Sequence, residues 1–172
     1  MELISPKERA DLVNGIGREA LHVEMRDNYG IDADLFANWR AGDREEVPRV
    51  LKPWCDRVRA GVAEGKTYRR VCVVSEPLSA YQRWCFEATN GLKAEAGEDL
   101  RWVPRRLTST LSLPGNDFWL LDGETVVFNV FDGTDRRAEI QLYRDLAIVK
   151  HCADAFSVLW DLAIPHRDYR PA

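Results

Sequence analysis

The chain lacks most of the features that would assign it a chemistry at once. Its four cysteines, Cys55, Cys72, Cys85 and Cys152, include no C-x-x-C pair and sit in apolar surroundings, so reduced buried thiols are expected rather than a redox or zinc motif. The three histidines, His22, His151 and His166, are far apart and show no metal-ligand spacing. No Gly-rich phosphate loop or G-x-S-x-G elbow is present, and the carboxylates Glu95, Glu98 and Asp99 lack the D-x-D spacing of a calcium loop. Lys plus Arg number 24 against 28 Asp plus Glu, a net charge of -4, so no cationic excess rewards direct nucleic-acid binding. "MELISPKERADL" is charged from its second residue and does not read as a signal peptide. No apolar run approaches the ~20 residues of a membrane span. These absences lead us to expect a soluble, cytoplasmic protein with no cofactor, no metal and no membrane partner.

What is present is material for a core. Hydrophobic residues make up 45% of the 172, with six Trp, six Phe and five Tyr. A chain of this length buries roughly 70% of its unfolded surface without help from a metal or disulfide. We therefore expect one domain over 1–172, with an N-terminal helical and extended region at 1–66 and a mixed-sheet core at 67–166.

The local signals divide the chain at Tyr68. Before it, Ser5, Pro6 and Glu8 open a helix with a capping box, ended by Gly15 or Gly17. "ALHVEMRD" alternates, with Leu21, Val23 and Met25 on one face and His22 and Glu24 on the other, as in a half-buried strand. "DADLFANWRAGD" reads as a helix. A further one carries Leu51, Trp54, Val58 and Val62 at helical spacing, with its regular part beginning at Pro53 and Gly65 as its stop. From Tyr68 onward, "YRRVCVVSE" is a continuous apolar strand suited to a sheet covered on both faces. "PLSAYQRWCFEATN" is a helix ending at Asn90-Gly91, and "EDLRWVPR" a strand. "DFWLLD", "ETVVFNVFD" and "RAEIQLY" are strands joined at Asp-Gly turns. Asp145 starts a last helix with a stripe of Ile148, Cys152, Ala155, Phe156 and Leu159, ended by Pro165. The fold class is α+β: a mixed sheet of about five to six strands with a βαβ unit, a meander and flanking helices.

Several phrases carry a resemblance. "VVSEPLSAYQRW", "EAGEDLRWVPR" and "DFWLLD" resemble an uncharacterised family of small actinobacterial proteins, and "HVEMRDNYG" and "LWDLAIPHRDY" extend the likeness over nearly the whole chain. The resemblance implies a regulatory or interaction role, because such proteins are often encoded beside helix-turn-helix regulators. A more distant resemblance, over 68–165, is to phospholipase D-like domains, whose strand-helix-strand start, "LLDG" strand-turn-strand and closing helix it shares. Those enzymes carry His-x-Lys-x-x-x-x-Asp. With that Asp placed on Asp122, the Lys position holds Asp117 and the His position Gly115. Asp117 would repel the phosphate a lysine should hold. The resemblance therefore implies the fold without phosphodiesterase chemistry, with Asp122 as a turn residue. It also raises the expectation of a homodimer, since such halves pair face to face.

Candidate ligand- or partner-binding residues are Glu76, Tyr81, Arg83, Trp84, Glu98, Arg101, Arg105, Asp117 and Trp119; none is assigned a catalytic role. Ser75-Glu76-Pro77 follows a central strand at its carboxyl end, where ligands bind in open α/β sheets. Alternatively Ser75 or Ser79 caps the next helix while Glu76 pairs with an arginine such as Arg83. In "EAGEDLRWVPRR", Glu95, Glu98 and Asp99 face Arg101, Arg105 and Arg106, as a loop-fixing network or as a pocket wall. Tyr81, Trp84, Trp102, Phe118 and Trp119 are core aromatics, of which one of Phe118 and Trp119 faces each side of its strand. The expected function is a non-catalytic module binding a protein partner, such as a helix-turn-helix regulator. A small-molecule or nucleotide sensor is the alternative, and a hydrolase with an unrecognised site comes third.

Overall fold

In a computed structural model, which describes residues 1–171, all strands join one eight-stranded mixed sheet. Its strands are β1 (Glu2–Leu3), β2 (Glu19–Glu24), β3 (Thr67–Val74), β4 (Asp99–Pro104), β5 (Asp117–Leu121), β6 (Thr125–Phe131), β7 (Arg137–Tyr143) and β8 (Ile164–Pro165), in the order β1-β7-β6-β5-β2-β3-β4-β8. Six are substantial; the two-residue edge strands β1 and β8 are too short to have left a periodic signal. β2, β3 and β4 are parallel, and β5 to β7 form the antiparallel meander beside β2.

The helices are α1 (Pro6–Asn14), α2 (Ala33–Arg40), α3 (Glu46–Ala63), α4 (Ala80–Trp84), α5 (Asn90–Glu95) and α6 (Leu146–Leu162). Two consecutive crossovers, β2 to β3 through α2–α3 and β3 to β4 through α4–α5, step in one direction across the sheet. Right-handed crossovers of this kind put both helical layers on the same face. α6 takes the opposite face, crossing it from the β7 side before the chain returns as β8 on β4.

The two faces differ in chemistry. Under α6 the sheet presents an apolar set, Leu21, Val23, Val71, Val73, Val103, Phe118, Leu120 and Val126, with Arg69 and Arg101 over the Trp160 ring. The other face is apolar towards α1 and α3, through Ala20, Tyr68, Trp119, Leu121 and Val127. Further along the same strands, alternation brings His22, Glu24, Arg70, Asp117 and Asn129 to this face. His22, Arg70, Asp117 and Asn129 are all buried there.

Three expectations are corrected. β2 is covered on both faces, not one, because the α2–α3 crossover folds back over His22 and Glu24. α3 begins at Glu46 and runs through Pro53: Asp43 accepts from the amides of Glu45 and Glu46, and Val47 packs with Tyr81 and Trp84, which holds the turn that proline weakens. Its buried stripe is Val47, Cys55, Val58 and Gly61, while Val62 is 42% exposed. Gly61 is required by contact, since a Cβ there would meet the Tyr68 ring, with Cε2 2.7 Å away. Finally, the helix after β3 does not end at Asn90-Gly91. It passes through a π-helical turn at Cys85–Thr89 and continues to Glu95, stopping at Gly97 with φ 107°. Thr89 Oγ1 donates to the Cys85 carbonyl at 3.1 Å inside that wide turn, and such turns are frequent at functional sites.

Candidate functional site: a buried polar cavity beneath the helical layer

Between the polar part of the sheet and the helices lies a cavity of about 180 Å³. The sheet contributes His22, Glu24, Asp117, Asn129 and Arg137. The chain after β2 contributes Tyr29 and Asp32, α1 contributes Arg9, and the α4–α5 segment contributes Tyr81, Trp84, Thr89, Asn90 and Lys93. A wider groove of about 520 Å³ at the β1–β7 edge is mostly apolar; Ile31 and Arg137 border both spaces.

Much of the polar wall is internally satisfied. Arg70 is clamped between Glu24 and Glu98, with Nε 2.6 Å from Glu98, and Trp54 Nε1 donates to the other Glu98 oxygen at 2.8 Å. Burial opposes charge on Glu24, but the Arg70 guanidinium outweighs it and holds that carboxyl well below the usual range. Burial likewise works against the Arg70 cation, and Glu24 and Glu98 outweigh it and raise its pKa. His22 Nδ1 lies 2.8 Å from the Phe118 carbonyl and its ring stacks on Trp119 at 3.9 Å. Burial lowers the His22 pKa, against the pull of Glu24, and favours the neutral ring with Nδ1–H donating. Burial pushes the Asp117 carboxyl up to about 7, although Tyr29 Oη and the Met25 amide both donate to it. Tyr81 Oη donates to Asp32 at 2.6 Å, and Lys93 to Asn90 at 3.0 Å.

The rest of the wall is not satisfied. Six buried side-chain polar atoms among the described residues have no hydrogen-bond partner, and four of them belong to cavity residues: Arg9 Nε, Trp84 Nε1, Asn129 Oδ1 and Arg137 Nε. Asn129 is 5% and Trp84 1% exposed. Buried polar groups in folded proteins are nearly always paired, because each orphan costs about 1–3 kcal/mol. Four orphans around one space make that space the candidate site.

The residues singled out in the sequence separate into groups. Tyr81, Trp84 and Asp117 line the cavity, and Glu98 and Trp119 stand behind it in the Arg70 and His22 supports. Glu76 and Arg105 lie elsewhere, at the carboxyl ends of β3 and β4. Arg105 donates to the carbonyls of Met25 (2.6 Å) and Val73 (3.1 Å) and to Ser75 Oγ, while Glu76 accepts from Tyr169 Oη at 2.8 Å and pairs with Arg106 rather than Arg83. Ser79, not Ser75, caps α4. Arg83 is exposed, and Arg101 lies over the Trp160 ring at 3.8 Å and pairs with Asp99. His22, Glu24, Asn129, Arg9, Arg137 and Lys93 carried no signal: each looked like a solvated position on an amphipathic element.

The phospholipase D positions are now placed. Asp122, at φ 54°, turns the chain after β5 and accepts from the amides of Gly17 (2.7 Å), Arg18 (2.7 Å) and Glu19 (2.9 Å). It is committed to starting β2. Asp117 is in the cavity, and Gly115 sits in the loop before β5.

A family model described as a domain of unknown function, DUF6879, matches residues 7–171. The chain belongs to the DUF6879 family. No curated protein matches it. A solved structure titled as a phospholipase D family member, Nuc from Salmonella typhimurium, is similar over 96% of this chain and 94% of that one, at 11% identity and a TM-score of 0.54. That likeness establishes a phospholipase D-like fold for this DUF6879 chain. Among its described residues there is no cluster of three or more potential metal ligands and no helix long and apolar enough to cross a membrane.

Proposed function

We propose that this DUF6879 protein is a non-catalytic regulatory module of the cytoplasm that takes up a small polar molecule and presents the occupied form to a protein partner. The observation that carries the reading is that four residues of one cavity wall each keep a buried polar atom without a partner. A protein that never filled the space would gain stability by pairing or replacing those groups. The cavity's size favours a small metabolite over a whole nucleotide, since pockets for larger ligands run from about 300 Å³ upward. The non-catalytic part rests on Gly115 and Asp117 at the His and Lys positions, and on the use of Asp122 as a backbone cap. The partner part rests on the family's resemblance to proteins encoded beside helix-turn-helix regulators.

A thermal-shift screen of polar metabolites on the purified chain tests the ligand reading, with at least one saturable stabilisation expected. A screen without a hit, together with an Asn129→Leu variant that binds nothing differently, refutes it. Co-expression with a neighbouring helix-turn-helix regulator tests the partner reading: a joint peak on gel filtration is expected, and separate elution counts against it. Sedimentation of the isolated chain decides between the homodimer expected for a single phospholipase D-like half and a monomer.

A further inference from the structure

The charge distribution inside the cavity says what kind of molecule it takes. Three cationic side chains line it, Arg9, Arg137 and Lys93, with three carboxylates, Glu24, Asp32 and Asp117, and the neutral His22. Every carboxylate has protein donors: Glu24 from Arg70 and Cys72, Asp32 from Tyr81, Asp117 from Tyr29 and the Met25 amide. Lys93 donates to Asn90. Of the charged side chains that line the cavity, only the two arginines make neither an ion pair nor a side-chain hydrogen bond. They also oppose each other: burial, then Arg137 and Arg70, lowers the Arg9 pKa to about 10.

Two partly buried guanidiniums without an ion pair, of which Arg137 feels only the nearby Asp32, form an arrangement that is unfavourable alone and favourable around an anion. The unpartnered Trp84 Nε1 and Asn129 Oδ1 belong to the same wall, but both atoms are fully buried, so the arginines carry the ligand contact. The volume corresponds to about six water-sized groups.

We propose that the cavity binds a small oxyanion, a carboxylate or phosphate whose acidic oxygens are clamped by Arg9 and Arg137. This rests on the reading of the cavity as a ligand site, and supplies its chemical class.

Calorimetric titration of the full chain at constant ionic strength tests it, with L-malate, glycerol 3-phosphate and inorganic phosphate as anionic probes, glycerol and xylitol as neutral ones and putrescine as a cation. Saturable binding of at least one anionic probe is expected, with affinity falling roughly 10- to 100-fold in Arg9→Gln and in Arg137→Gln. The free variants should unfold at the same temperature as the parent chain or higher, because the mutual repulsion is relieved. Arg9→Lys and Arg137→Lys, which keep the charge but lose the planar fork, should weaken the same probe several-fold and serve if a glutamine variant does not fold. Carboxylate and phosphate probes ranked against each other identify which oxyanion is taken. Neutral or cationic probes that bind while anions do not, or anions that bind the arginine variants as tightly as the parent, overturn the oxyanion assignment and leave a ligand cavity of another class. Failure of every probe and of the metabolite screen overturns both.

Discussion

Replacing Asp117 by Asn removes a titratable proton while keeping the side chain's shape. The folded state holds this carboxyl near 7 because burial disfavours the anion, whereas an unfolded chain gives it the ordinary value of 3.8. Between those values the folded protein binds the extra proton, so stability falls as pH rises and levels off above about 7. At about 1.4 kcal/mol per tenfold change in proton affinity, the full cost reaches about 4 kcal/mol, and local relaxation makes about 2–4 kcal/mol the expected span. An asparagine oxygen still accepts from the Met25 amide, and its amide donates to Tyr29 Oη, so the neutral contacts survive. The expectation is that Asp117→Asn matches the parent chain near pH 4 and exceeds it by about 2–4 kcal/mol near pH 8.5. Urea denaturation across this range checks it. The difference between the two proteins is the quantity to read, because His22, whose pKa is lowered on folding, adds a slope of opposite sign as pH falls through the ordinary histidine range. Parallel profiles, or a variant less stable than the parent at high pH, would refute the account of Asp117 as a buried, proton-hungry carboxyl.

Asp122→Ala removes the acceptor of three backbone amides at the start of β2. It should cost about 2 kcal/mol after allowing for partial exposure, with a loss measured by chemical denaturation. The folded state depresses the Asp122 pKa, so its contribution is present above the ordinary carboxylate value and fades as pH falls; Asp122→Ala should accordingly converge with the parent chain in acid. Glu98→Gln leaves the buried Arg70 with Glu24 as its single charged partner and should cost about 3 kcal/mol in the same assay. Gly61→Ala drives a methyl into the Tyr68 ring and should lower stability by about 1–3 kcal/mol, recovered in part by also truncating Tyr68.

Much of the architecture was legible because its signals are local. The Ser5–Glu8 capping box, the Asp145 cap and the Asp-Gly turn at Asp122 each place their groups within a few residues, and all occur where the sequence puts them. Elements went astray where packing overrides local preference. Pro53 marks a helix start by its own chemistry, yet Val47, seated against Tyr81 and Trp84, carries α3 back to Glu46. Asn90-Gly91 looks like a helix stop, yet Asn90 is buried and turned inward, its Oδ1 accepting from Lys93. Of the candidate site, Tyr81, Trp84 and Asp117 were legible through the family phrases in which they lie. Asn129 and Arg137 were not, since a polar residue on an alternating strand has the same pattern whether it faces water or a cavity.

The sequence by itself determined the order of strands and helices, membership of a family, and the absence of the His and Lys that phospholipase D chemistry requires. Those depend on residue identity and near neighbours alone. Only the tertiary structure decided which face of the sheet is apolar and which carries charge. Two crossovers of the same hand lay helices over His22, Glu24, Asp117 and Asn129, and the pairing of β1 with β7 brings Arg9 of the first helix to the same wall as Arg137 of the seventh strand. The cavity and its two arginines without ion pairs exist only once those distant segments are packed together.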